Sequence, residues 1–222
     1  MEELTPTYQF LFSITAAILL TQVPYIGKYF KVIYTLIHES MHATTALIIN
    51  AEVIQIELFS NTSGTTLTKY SSNWKKFIIS FVAYPFSIII SWGLYYTALK
   101  GFYWYGLLSF LIIIILNLTF FVRNIYGIFW LISFGIIIGI ILYFKNILAI
   151  SIVLYIIAGI ILIESIISVF QLLILSLKNL KQTTGDVKNI QEITKIPAIF
   201  WIIIFLLILS FVTYKIVISF LT

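Results

Sequence analysis

The sequence predicts an all-α polytopic membrane protein with about six to seven transmembrane helices and one small β-hairpin after the second of them. Its 222 residues are 61% hydrophobic and only 9% charged, whereas soluble globular domains carry about 25% charged residues. Long apolar runs recur along the whole chain, and one polar segment alternates with a period of two. Because no internal repeat or linker interrupts this pattern, we expect residues 1–222 to form a single integral membrane domain.

Seven apolar stretches approach or exceed the ~20 residues that a membrane-spanning helix needs. By residue number they are 8–25, 32–50, 77–99, 102–122, 125–144, 147–175 and 197–220. Only Arg123 and Asn124 separate the fourth stretch from the fifth, which predicts a tight turn between two helices. A polar loop, residues 176–196, separates the sixth from the seventh, and Pro197 then favours the first turn of the last helix.

Residues 52–68 carry the signal of a β-hairpin. Apolar and polar side chains alternate in the string VIQIEL at residues 53–58, which is typical of a half-buried strand. A turn follows at residues 61–64, which include a glycine, and the chain resumes with the threonine-rich residues 65–68. The hairpin therefore follows the second predicted span directly.

Composition excludes several other classes of protein. Cysteine is absent, so the chain forms no disulfide and offers no thiolate to a metal. The net charge of +5 is spread over the loops, which indicates contact with a lipid bilayer and predicts no nucleic-acid partner. We expect a multi-pass protein, and the absence of targeting features favours a bacterial cell membrane. Composition gives no oligomeric state.

The second predicted span contains the two histidines of the chain in the motif His38-Glu39-Ser40-Met41-His42, or H-E-x-x-H. On a helix, residues four positions apart share one face, so both imidazoles can reach a single metal ion. Glu39 lies beside them as a candidate general base for hydrolysis. Burying three ionisable side chains unpaired in an apolar helix is costly, so such residues are candidates for a functional site. The motif thus predicts a zinc-dependent hydrolase with Glu39 as its catalytic residue.

A third protein ligand must come from elsewhere, and the residues alone leave two candidates. Asp186 is the only aspartate and lies just before the last span, where it would otherwise serve as the N-terminal carboxylate of a short helix. Glu164 lies inside the sixth apolar stretch, which is long enough to carry this side chain to the membrane surface.

The string IHESMHA at residues 37–43 resembles the histidine helix of the site-2 protease family of intramembrane zinc metalloproteases. More closely, the chain resembles a short bacterial branch of that family, and this similarity covers most of residues 33–207 in order. In that branch a hairpin with a Ser-Gly turn follows the histidine helix, an Arg-Asn pair precedes a late span, and a Gly-Asp step precedes a final span containing Pro-Ala. The corresponding residues here are Ser63-Gly64, Arg123-Asn124, Gly185-Asp186 and Pro197-Ala198.

The resemblance implies that Asp186, rather than Glu164, completes a Zn²⁺ site with His38 and His42. It further implies an intramembrane zinc metalloendopeptidase that hydrolyses peptide bonds in transmembrane segments of other membrane proteins, using a zinc-activated water and Glu39 as general base. An edge of the hairpin could capture an unwound substrate by strand addition, so proline at Ile54 or Ile56 is expected to slow cleavage.

Two other functions remain open at this point. A catalytically silent relative with the same fold would bind membrane proteins or regulate them without cutting. A metal or proton transporter would use the same ionisable residues as a relay through the helix bundle.

Overall fold

The computed structural model describes residues 5–178 and 185–221, and within them the fold is almost entirely helical. The eight α-helices of these residues are α1 (Pro6–Gln22), α2 (Ile26–Ile48), α3 (Asn73–Leu99), α4 (Tyr103–Leu116), α5 (Ile125–Tyr143), α6 (Ile147–Lys178), α7 (Gly185–Thr194) and α8 (Ala198–Leu221). Strands β1 (Glu52–Leu58) and β2 (Gly64–Lys69) form the antiparallel hairpin. The predicted all-α fold with one hairpin after the second helix is confirmed.

Five of the described helices are long and apolar enough to cross a membrane: α3, the unit formed by α4 and the π-helical turn Asn117–Phe121, α5, α6 and α8. A sixth span is possible if α1 and α2 act as one, although they meet at 116° around Pro24. All seven predicted apolar stretches are helical. The polar segment predicted as a loop contains the end of α6 and the ten-residue α7, and its residues 179–184 lie outside the described part.

Helix α6 lies at the centre of the bundle and packs against α1, α2, α3, α4 and α8. Of its most apolar window, 56% is buried inside the protein, compared with 28% for α8 and for α4 with the π-helical turn. The outer helices therefore present apolar side chains outward, as expected for surfaces that face lipid tails. Most of the buried polar side chains among the described residues lie on α2, α3 and α6.

The hairpin is held at one edge by the chain between α4 and α5. The π-helical turn ends in a short extended stretch, where Val122 pairs with Ile56 of β1 in parallel. The Arg123 N–H donates to the Ile56 carbonyl over 3.2 Å. The Asn124 side chain accepts from the Leu58 N–H at 3.0 Å and donates to the Leu58 carbonyl at 2.5 Å. The outer edge of β1 is therefore covered at Ile56 and Leu58.

Candidate metal centre

Helix α2 carries the H-E-x-x-H motif at mid-length with its polar face turned into the protein. Glu39 and His42 are each 6% exposed, and the His38 side chain is 11% exposed. The hydroxyl of the neighbouring Ser40 donates to the Leu36 carbonyl at 2.5 Å and lies 3.1 Å from the side-chain oxygen of Asn117 in the π-helical turn. The one-turn spacing places the two imidazoles side by side, with 3.3 Å between their Nε2 atoms.

Asp186 reaches the imidazoles from the first turn of α7. Its Oδ2 lies 3.4 Å from the His38 Nε2 and 3.1 Å from the His42 Nε2. Three ligands bound tetrahedrally to one zinc ion at about 2 Å would lie about 3.3 Å from one another. The three side chains thus form a group that could hold a metal ion.

A positive charge beside Asp186 keeps its carboxyl ionised, and that charge can be a protonated histidine or a bound cation. Burial raises the pKa of the Asp186 carboxyl, but a protonated His42 and hydrogen bonds from both rings outweigh burial and hold that pKa well below its usual range. A shared cation would have the same effect with both imidazoles neutral. Asp186 is ionised in both cases, and this is the form that binds metal.

Each histidine also has a partner on the ring nitrogen that faces away from the cluster. The His42 Nδ1 lies 2.7 Å from the Ile79 carbonyl of α3, so an N–H there leaves the Nε2 lone pair free. The His38 Nδ1 lies 3.5 Å from the Tyr34 hydroxyl, which is 2.6 Å from the Ser168 hydroxyl of α6. The ring of Tyr84 packs edge-on against His38, with 4.6 Å between ring centroids. These contacts orient both imidazoles toward Asp186.

Helix α7 is fastened to α3 and buries its own apolar side. Val187 and Ile190 are at most 1% exposed. Asn189 donates to the Ser80 hydroxyl at 3.2 Å, and Glu192 pairs with Lys76 over 3.6 Å. Amphipathic packing, rather than the position of Asp186 in the chain, therefore sets where its carboxylate points. Asp186 does occupy the first turn of a short helix, as its sequence position suggests.

Strand β2 lies against the carboxylate of Glu39. The Thr66 hydroxyl is 2.6 Å from the Glu39 Oε2 and 3.1 Å from the Glu39 carbonyl oxygen. Gly64 approaches so closely that a Cβ there would lie 2.7 Å from the Glu39 Cγ and 2.7 Å from the Thr35 Cγ2. Only a residue without a side chain allows the hairpin to sit this close to the motif helix.

A cavity of about 450 Å³ connects these groups. β2 and the preceding turn, α2, α3 and α7 all contribute residues to the lining of this groove. His38, Glu39, His42 and Asp186 line it, together with Tyr84.

Glu164, the alternative third ligand, is placed elsewhere. It is 7% exposed and pairs with Lys31 of α2 over 3.5 Å, two helical turns before His38. The only metal-binding group found among the described residues contains Asp186 and not Glu164. The structure therefore brings three of the predicted ligands together and leaves Glu164 in a separate ion pair.

Sequence reasoning missed the residues that support the motif, namely Thr66, Tyr34, Tyr84, Ser168 and the carbonyl of Ile79. A signal existed for Tyr34, because it lies four residues before His38 on the same helical face. No local pattern points to Thr66 or Ser168, since each contacts α2 only through the packing of the folded chain.

Comparison with known proteins gives one match. A family model described as "Peptidase M50B-like" matches residues 11–215, which is nearly the whole chain. Neither a curated protein nor a solved structure matches. The matched range includes the motif helix, the hairpin and α7.

Proposed function

The chain belongs to the Peptidase M50B-like family, the site-2 protease family of membrane metallopeptidases, and from this premise we propose that it is an intramembrane zinc endopeptidase. The observation that carries the proposal is the approach of His38, His42 and Asp186 to within 4.8 Å of one another, in a cavity that Glu39 also lines. Two elements far apart in sequence supply these groups, and the packing of α7 against α3 brings the one aspartate of the chain to both imidazoles.

The donor set suits zinc, because two neutral imidazole nitrogens and one carboxylate oxygen leave a fourth tetrahedral position open. When bound there, Zn²⁺ would acidify a water molecule and polarise the carbonyl of the peptide bond. Glu39 then has the role of general base: its carboxylate accepts the proton of the attacking water and delivers it to the leaving amine. The Ile79 carbonyl and Tyr34 keep the two rings in the orientation that this chemistry requires.

The proposed substrate is a transmembrane segment of another membrane protein. A helical segment hides its carbonyls in its own hydrogen bonds, so it must unwind before hydrolysis. Among the described residues no backbone group pairs with the outer edge of β2, whereas the outer edge of β1 is covered by Val122 and Asn124. We therefore assign the capture of the unwound stretch to β2, with the extended substrate between β2 and α3. The proposed location is a bacterial cell membrane.

The test uses purified full-length protein with a generic membrane-spanning substrate, in the wild-type form and as Glu39→Gln. We expect about one zinc per chain in both proteins. Cleavage should occur only in the wild type, because glutamine cannot accept the water proton. Zinc content is measured by elemental analysis and cleavage by mass spectrometry of the products.

Three results would change the assignment. Zinc bound by the wild type without cleavage of any membrane-spanning substrate favours the silent binding or regulatory protein. Zinc transport into liposomes, lost together with the histidines, favours the transporter. Cleavage that persists in Glu39→Gln removes Glu39 from its role as general base.

A further inference from the structure

We infer that Thr66 couples substrate capture to catalysis: its hydroxyl positions the Glu39 carboxylate, and its backbone pairs with the substrate strand. This inference deepens the proposed function and rests on it. One residue of the hairpin would then fix the position of the general base relative to the peptide bond of the substrate. Thr66 acts through Glu39, so it is a positioning residue.

The side-chain half of the inference follows from the contacts of Thr66. A threonine hydroxyl has one proton, and both groups near it, the Glu39 Oε2 at 2.6 Å and the Glu39 carbonyl at 3.1 Å, are acceptors. The shorter contact takes the proton, so the hydroxyl donates to the carboxylate. A hydrogen bond to an ionised acceptor of this length is among the stronger ones in proteins. It fixes Oε2 and leaves Oε1 for the water proton.

The backbone half follows from the register of the hairpin. Ile56 is opposite Thr66, and the Ile56 carbonyl accepts from Arg123 on the side away from β2. In an antiparallel pair, two opposed residues either bond to each other or both point their backbone groups outward. The Thr66 N–H and carbonyl therefore point away from β1, toward the free edge of β2.

The two halves meet at the catalytic base. A strand added to β2 lies about 4.8 Å from the Thr66 backbone, while the Thr66 side chain holds the Glu39 carboxylate at hydrogen-bond distance. Among the described residues, no other β2 residue that faces the edge hydrogen-bonds to Glu39, so Thr66 is the hydrogen-bonded link between the edge and the base.

The first experiment examines the side-chain contact in metal-free protein and needs no activity. Glutamate labelled with ¹³C at its side-chain carboxyl reports the hydrogen bonding of each carboxylate, and the Glu39 resonance is identified by its absence in Glu39→Gln. Thr66→Val, which keeps the shape and removes the donor, should shift that resonance. Thr66→Ser should preserve it. The control is Thr65→Val, because Thr65 is exposed and pairs with Glu57 of β1.

The second experiment measures cleavage of the generic membrane-spanning substrate by the same zinc-loaded variants. Thr66→Val should lower kcat about tenfold or more, because it removes a hydrogen bond to the carboxylate that serves as general base. Its KM should remain at the wild-type value, because valine keeps the backbone N–H. Thr66→Ser should restore kcat, and zinc content should be equal in all variants.

The outcomes separate this inference from the function on which it rests. A Thr66→Val protein with an unshifted Glu39 resonance and wild-type kcat overturns the positioning role, even if Glu39→Gln is inactive. A rise in KM with unchanged kcat also overturns it. A shifted resonance in a protein whose wild type cleaves nothing supports the contact and rejects the protease instead.

Discussion

The two acidic side chains Asp186 and Glu164 have different partners, which distinguishes the candidate metal-binding group from an ordinary ion pair. Asp186 meets two imidazoles at 3.1 and 3.4 Å, while Glu164 meets a lysine at 3.5 Å. Each acid is thus satisfied by a different kind of partner. The cost of removing a carboxylate from water is offset for Glu164 by Lys31. For Asp186 it is offset by a protonated histidine or by a cation bound between the two rings.

This difference predicts opposite effects on zinc content. We expect Asp186→Ala to bind far less than one zinc per chain, because one of three protein ligands is lost. Glu164→Gln should retain about one zinc per chain, although an unpaired Lys31 costs stability. Elemental analysis of both purified variants measures the outcome. Zinc lost in Glu164→Gln but kept in Asp186→Ala would reverse the ligand assignment.

At the scale of elements, β1 and β2 have different functions. β1 is structural: Ile56 is fully buried and its carbonyl is bonded to Arg123. Proline at Ile56 would therefore disrupt the packing of the hairpin and would not report on substrate capture alone. β2 borders the groove and has a free edge, so substitutions there give a more selective test.

Thr68 offers that test, because it lies two residues after Thr66 in β2, and alternation along the strand then places its backbone groups on the same edge. Proline on an edge strand removes an outward N–H without breaking the ladder to β1. We expect Thr68→Pro to raise KM for a membrane-spanning substrate about tenfold while zinc content stays unchanged. Thr68→Ala keeps the N–H and is the matched comparison, with a KM closer to the wild-type value. Equal KM values for the two variants would argue against strand addition at β2.

For the whole molecule, close packing of α1 on α6 fixes the frame that holds the site. At Gly159 of α6, a Cβ would lie 2.8 Å from the Ser13 carbonyl and 3.2 Å from the Ala17 Cβ. At Gly139 of α5, a Cβ would meet nothing within 4 Å. A substitution at Gly159 therefore tests helix packing, whereas a substitution at Gly139 tests intrinsic helix propensity alone.

Alanine should lower the stability of the protein at Gly159 but not at Gly139. Gly159→Ala forces α1 and α6 apart, and overpacking of this kind costs about 1–3 kcal/mol. Gly139→Ala should leave stability unchanged or raise it by up to about 1 kcal/mol, because alanine favours helix. Unfolding of both variants in detergent gives the comparison. Equal stability of the two variants would mean that α1 and α6 can move apart at no cost in free energy.

The sequence by itself predicted those features that depend on short-range periodicity. Apolar runs predicted the helices, a period of two predicted the hairpin, and the four-residue spacing placed His38 and His42 on one face. Local patterns left Asp186 and Glu164 open as the third ligand and only the family resemblance favoured Asp186, whereas the tertiary structure shows that Asp186 meets the imidazoles and that β2 borders the groove. Asp186 lies 148 residues from His38, and Thr66 lies 27 from Glu39. Contacts over such separations depend on how α7 and the hairpin pack against α2 and α3, and local patterns do not encode packing.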